Sequence, residues 1–188
     1  MLHITAGKYR GHRIESPQLE EIRPTSGRVR ESFFAGLCSR FGGTLEGVSF
    51  LDLFGGSGLM GFEALSRGAR HLTSVEKIPA HARLIERNAH KLKITSDQFS
   101  LVMQDVLPYT TTHPWRAKPF DVIFMDPPYG YEHTEPIAKA LIENGWLNSE
   151  EGLLVIEQER RDPVLAGFTV KKYGDTVLLY FDVAALAD

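Results

Sequence analysis

Short apolar runs and amphipathic stretches alternate along most of this chain. Val48-Ser49-Phe50-Leu51-Asp52-Leu53-Phe54 is apolar at nearly every position, the pattern of a strand buried on both faces. Gly55-Gly56-Ser57-Gly58 interrupts it, and Leu59–Ser66 then reads as a helix with Gly68 placed to cap its end. Arg70–Val75 is a second strand and ends at Glu76. Pro79 opens the next helix, whose apolar face is Ala82, Leu84, Ile85, Ala89 and Leu92. Phe99–Met103 is a third strand with Asp105 just after it, and Leu107–Pro119, carrying three threonines and Trp115, reads as a surface loop. Phe120–Met125 is a fourth strand, His133–Asn144 a helix, and Gly152–Glu157 a fifth strand. Phe168–Tyr173 and Thr176–Val183, joined at Gly174-Asp175, form a closing hairpin. Strands alternating with helices in this way predict an α/β fold with a mostly parallel sheet covered on both faces.

Upstream of the alternation, Leu2–Ala6 and His12–Glu15 read as a hairpin around a Gly7–Gly11 turn, with Tyr9 at its centre. Pro17–Pro24 is a polar connector. Ser26–Phe41 is an amphipathic helix with Val29, Phe33, Phe34, Leu37, Cys38 and Phe41 on one face, ended by Gly42-Gly43.

The chemistry concentrates where strands stop. Asp126-Pro127-Pro128-Tyr129 follows the apolar run that begins at Phe120. The carboxylate can accept from a substrate N–H, and the prolines stiffen the backbone and fix nearby carbonyls as acceptors. The tyrosine offers a plane on which a base can stack. Together they describe a seat for a planar group bearing an amine, although Asp and Pro also end strands in ordinary turns. Glycines at the first strand-to-helix turn let the backbone approach a ligand and aim helix N–H groups at it. Glu76 lies about 20 residues beyond that turn, where an acid accepts from ribose hydroxyls. Asp52, Glu76, Asp105 and Asp126 each mark the end of a separate strand, and in an open parallel sheet such tips share one crevice.

Asp52-Leu-Phe-Gly-Gly-Ser-Gly resembles the first motif of class I S-adenosylmethionine-dependent methyltransferases, and DPPY resembles their target-amine motif. Ile4-Thr-Ala-Gly-Lys-Tyr-Arg-Gly11 and Arg23-Pro-Thr-Ser-Gly-Arg-Val-Arg-Glu-Ser-Phe-Phe34 narrow the match. They are similar to the bacterial 16S ribosomal RNA guanine-N2 methyltransferase family over essentially the whole chain. The resemblance implies a Rossmann-like, seven-stranded sheet with an antiparallel last strand in a single domain, with residues 1–24 as an RNA-binding arm. It implies transfer of methyl from S-adenosylmethionine, leaving S-adenosylhomocysteine, to guanine N2. Asp126, Pro127, Pro128 and Tyr129 would act on the amine. The cofactor would be held by Thr25, Asp52, Phe54, Gly55, Gly56, Gly58, Glu76, Lys77, Asp105, Val106 and Asp126. Adenine-N6 and protein-glutamine methylation use related motifs, often with Asn in place of the leading Asp. A nicotinamide oxidoreductase would share the glycine turn and Glu76 but leaves DPPY and the Arg-Pro-Thr run unexplained. A non-catalytic RNA-binding protein gives no reason for four acids around one cleft.

Composition sets bounds on this picture. The 188 residues suit one domain, and 43% hydrophobic with 24% charged content is ordinary for a soluble protein. No apolar run spans a bilayer and no signal peptide opens the chain, so a cytoplasmic protein without membrane contact is expected. Cys38 is the single cysteine and reads as core filler. His71, His81 and His90 read as surface or cap residues, and no metal is expected. Net charge is −3, yet residues 1–40 carry seven Lys and Arg against four acids, a balance of +3 that leaves −6 for the rest. The basic footprint therefore lies at the N-terminus, and Lys8, Tyr9, Arg10, Arg13, Arg23, Arg28 and Arg30 are the candidate RNA contacts. The hairpin taken alone would read first as a charged edge that blocks aggregation. Its small size on an acidic body suggests that ribosomal proteins of a small-subunit assembly particle complete the binding surface for a monomeric enzyme.

Overall fold

The computed structural model describes residues 2–17, 27–112 and 118–186. A small antiparallel hairpin, β1 (Leu2–His3) and β2 (Arg13–Ile14), precedes α1 (Gly27–Arg40). The main strands are β3 (Ser49–Leu53), β4 (His71–Val75), β5 (Phe99–Val102), β6 (Val122–Met125), β7 (Leu153–Glu159), β8 (Thr169–Tyr173) and β9 (Thr176–Asp182). They are interleaved with α2 (Leu59–Ser66), α3 (Pro79–Lys91), α4 (Val106–Thr111) and α5 (Thr134–Glu143). The seven strands form one sheet in the order β5-β4-β3-β6-β7-β9-β8. The first five in this order are parallel, and β9 runs against both of its neighbours.

Strand side chains alternate between faces, and here the alternation feeds two separate cores. Phe50, Val122, Phe124, Leu153, Val155 and Leu178 join Phe33 and Phe34 of α1 and Phe62 of α2 on one side. Leu51, Leu53, Ile123, Met125, Leu154 and Ile156 join Ile137 and Leu141 of α5 and Trp146 on the other. Phe33 meets Phe124 at 5.4 Å between ring centroids, and Phe34 stacks on Phe50 at 6.3 Å. Polar residues that continue the first register, Asp52 after Phe50 and Asp126 after Phe124, therefore face the α1–α2 side of the sheet.

Two expectations need correction. The stretch after Asp105 is not all loop: α4 occupies its first part, while residues 113–117 lie outside the described residues. Asp105 caps this helix by accepting from Leu107 N at 3.0 Å, and Pro108 falls in the first turn, where a missing N–H costs nothing. Thr110 and Thr111 turn their hydroxyls back onto the carbonyls of Val106 and Leu107, at 2.9 and 2.6 Å.

Nor does the N-terminal hairpin stand off from the body as an arm. Lys8 N donates to Ser66 O at 2.7 Å, Tyr9 N to Ser66 Oγ at 2.9 Å, and Ser66 Oγ to Ala6 O at 2.5 Å. Gly7, at φ +79°, lies so close that a Cβ would come 1.8 Å from Ser66 O. Beside this clamp, the fully buried Glu63 accepts from Thr5 N at 2.7 Å and Thr5 Oγ1 at 2.8 Å, and pairs with Arg30 Nε at 3.2 Å and Arg67 Nε at 3.4 Å. Of the candidate RNA contacts, Tyr9 is thus a core side chain, 5% exposed, and Arg30, 3% exposed, belongs to a buried ion pair, so neither presents an RNA-facing surface. Lys8, Arg10, Arg13 and Arg28 remain on the surface.

Candidate active site

Strand order reverses about β3 and β6, and at the carboxyl ends of such strands an open α/β sheet leaves a crevice. A cleft of about 710 Å³ opens there, within the usual range for small-molecule sites. Its floor is the turn after β3. Phe54 takes a left-handed φ of 63°, uncommon for a bulky residue, and Gly56 and Gly58 follow at 55° and 77°. Gly55 N donates to Val75 O at 3.0 Å, and a Cβ on Gly55 would lie 2.3 Å from Ser74 Oγ. Only a residue without a side chain passes under β4 at this point. Phe54, Gly55 and Gly56 line the cleft, whereas Gly58 packs behind it against the Phe62 ring.

Glu76 holds this turn in place. One carboxylate oxygen accepts from Gly56 N at 2.9 Å and the other from Ile78 N at 2.8 Å, which ties the glycine turn to the start of α3. Each oxygen keeps a further lone pair for a ligand hydroxyl. His81, expected at the surface, is buried instead in the cleft wall, with Nδ1 4.0 Å from Glu76. Asp52 accepts from Gly61 N at 3.2 Å, and burial together with the charge of Glu76 pushes its carboxyl up to about 8. Lys77 and Val106 also line the cleft. Asp105 does not: its carboxylate is engaged in capping α4 and in a 3.0 Å pair with Lys77, so the tips of three strands, not four, contribute the expected acids.

Asp126 is half-buried in the cleft and its carboxylate hydrogen-bonds to no described residue. Burial, then repulsion from Glu157 and Asp52, hold its carboxyl well above the usual range. Pro127 and Pro128 follow along the same wall. Tyr131 N donates to Pro128 O at 3.1 Å, which closes a turn with Gly130 at φ +69°. That turn leaves Tyr129 presented to solvent, 56% exposed, while Tyr131 folds back edge-on against Phe54 at 5.1 Å. The Pro127 carbonyl stays available as an acceptor among the described residues.

Glu157 also lines the cleft, and the sequence reading overlooked it because it closes an apolar run as though merely ending β7. Counting by twos from Val155 would have placed it on the face of Asp126. Thr25 and Arg23 lie outside the described residues. Among the described residues lining this cleft Lys77 is the single Lys or Arg, against many carboxylates, so this lining favours a ligand carrying hydroxyls and positive charge.

The strand order, the reversed β9 and the glycine turn braced by an acid on the next strand define the class I methyltransferase fold. Within that class, residues 2–182 match the family described as "Conserved hypothetical protein 95", and the chain belongs to it. It is similar to "Ribosomal RNA small subunit methyltransferase D" of Haemophilus influenzae, 34% identical over 164 residues that cover 87% of this chain and 82% of the relative. The protein of the same name from Escherichia coli K12 is 31% identical, covering 84% and 75%. Among solved structures, a hypothetical protein of Thermus thermophilus superposes with a TM-score of 0.82 at 28% identity, covering 97% of this chain and 100% of that one.

Proposed function

We propose that this protein transfers a methyl group from S-adenosylmethionine to the exocyclic N2 amine of a guanine in 16S ribosomal RNA. The carrying observation is that Asp126, with free acceptor capacity, shares one cleft with the glycine turn and Glu76. The named relatives are small-subunit ribosomal RNA methyltransferases, which supports the RNA substrate.

The lining fits the cofactor: Glu76 suits ribose hydroxyls, Phe54, Gly55 and Gly56 allow close approach, and the acidic wall suits ammonium and sulfonium charge. When bound, S-adenosylmethionine supplies a methyl carbon on a positively charged sulfur, which leaves as a neutral thioether. The guanine amine is a poor nucleophile because its lone pair is delocalised into the ring. Asp126 and the Pro127 carbonyl, accepting from its two N–H groups, stabilise the positive charge that grows on nitrogen as the N–C bond forms. Asp126 then receives the surplus proton, a role suited to a carboxylate whose proton affinity is raised by burial and by neighbouring acids. Tyr129 stacks on the base once it has left its helix.

Glu132, Glu135, Glu159, Asp162 and Asp175 ring the target side of the cleft. They repel phosphates, so a single base enters while the RNA backbone stays near Lys8, Arg10, Arg13 and Arg28. Leu2, Ser16 and Pro17 carry the N-terminal segment to the cleft edge. On this reading one domain acts as a monomer in the cytoplasm, and ribosomal proteins of an assembly particle add to the RNA surface. Mass spectrometric mapping of ribosomal RNA nucleosides from cells with and without the protein tests the proposal. Loss of one N2-methylguanosine from 16S RNA is expected, and an unchanged map overturns it.

A further inference from the structure

Three of the four nucleic-acid bases carry an exocyclic amine that could rest on Asp126, so the amine alone does not select guanine. The neighbouring ring nitrogen does: it bears a hydrogen in guanine and a bare lone pair in adenine and cytosine. A reader for that position must be an acceptor beside Asp126.

We infer that Glu157 is that reader, its carboxylate accepting from guanine N1–H while Asp126 accepts from the N2 amine. This rests on the guanine reading above and extends it to a residue that the chemistry itself does not require. The β6–β7 register ends at Met125 paired with Ile156, so Asp126, the first residue past β6, stands beside Glu157 of the parallel β7. Neighbouring strands lie about 4.8 Å apart, and the alternation that sends Phe124 and Val155 into one core places both acids on one face. Both line the cleft, and Glu157 is 8% exposed, out of reach of bulk screening. Repulsion from Glu157, ahead of that from Asp52, raises the Asp126 carboxyl, which supports their closeness. Two adjacent carboxylates match two adjacent donors on the Watson–Crick edge of guanine. Against adenine or cytosine the second carboxylate faces a lone pair where guanine presents an N–H, an acceptor–acceptor repulsion that acts against the wrong base.

The test replaces the mapped guanosine with 2-aminopurine in small-subunit particles reconstituted from ligated 16S RNA. This base keeps the amine but has a bare N1. Wild-type enzyme is expected to methylate it about 10²-fold more slowly, in kcat/KM, than guanosine. In Glu157→Gln the amide turns its N–H toward the bare nitrogen, and the ratio is expected to fall below about tenfold. Retained discrimination in E157Q with guanosine still accepted overturns the inference alone. Equal wild-type rates on the two bases also overturn it, whether or not the variant folds. Absence of N2-methylguanosine with wild-type enzyme overturns the guanine reading together with it.

Discussion

Replacing Glu63 by Gln tests how the N-terminal segment is held to the methyltransferase body. Glu63 is fully buried and receives two hydrogen bonds from Thr5 and ion pairs from Arg30 and Arg67. The amide keeps the shape but removes the negative charge between two guanidinium groups. Arg30 then loses its ion pair with Glu63 while staying buried, and breaking one side of such a pair costs roughly 3–5 kcal/mol. For a domain of this size that corresponds to a fall in Tm of about 10 °C. Because Thr5 lies next to the residues clamped on Ser66, the loss should also be local. Amides of Thr5, Lys8 and Tyr9 should lose hydrogen-exchange protection before those of β3 and β6. Thr5→Val, which removes the hydroxyl alone, should cost about 1 kcal/mol. Urea unfolding and exchange measured on the three proteins give the comparison. If E63Q unfolds within about 1 kcal/mol of wild type and keeps those amides protected, the buried pair does not anchor the hairpin.

Gly55→Ala should weaken S-adenosylmethionine binding by at least about tenfold in calorimetry and destabilise the fold, because its methyl would enter Ser74 Oγ at 2.3 Å; unchanged affinity would remove the turn from the cofactor site. Asp52 makes a pH prediction. Its carboxyl lies at about 8 when folded against 3.8 when unfolded, so the folded state holds a proton that the unfolded chain has released. Its contribution therefore favours folding less as pH rises across that window, by at most ~1.4 kcal/mol per pH unit. Asp52→Asn should flatten the fall in stability between about pH 5 and 8, and identical pH slopes for the two proteins would contradict the shift. Tyr129→Ala should reduce RNA affinity or kcat/KM by a factor corresponding to ~1–3 kcal/mol, with cofactor affinity unchanged; no change in kcat/KM would exclude stacking.

The parallel sheet was legible because central strands buried on both faces carry near-continuous apolar runs, as in Leu51, Ile123 and Leu154. The glycine turn and Glu76 were legible as neighbours, because they stand at the tips of successive strands, and Gly56 N donates to Glu76 there. Asp105 shows where spacing stops being informative, since an acid after a strand caps the following helix as readily as it faces a ligand. Tyr9 and Arg30 were misplaced for a tertiary reason: their burial depends on Ser66 and Glu63 at the far end of α2. An acid in the otherwise apolar Leu59–Ser66 helix was the available sign that something polar must dock there. Helix α4 was hidden by Pro108 and the threonines, whose hydroxyls satisfy the helix backbone instead of opening it.

Single-turnover methyl transfer to 16S RNA by Asp126→Ala, at saturating S-adenosylmethionine and with cofactor affinity measured in parallel, bears on the proposed chemistry without intermediaries. A rate lower by about 10²–10³ with near-normal cofactor binding is predicted, the loss seen when one pre-organised transition-state partner is removed. A loss of only about twofold would mean that the Asp126 carboxylate does not act on the amine.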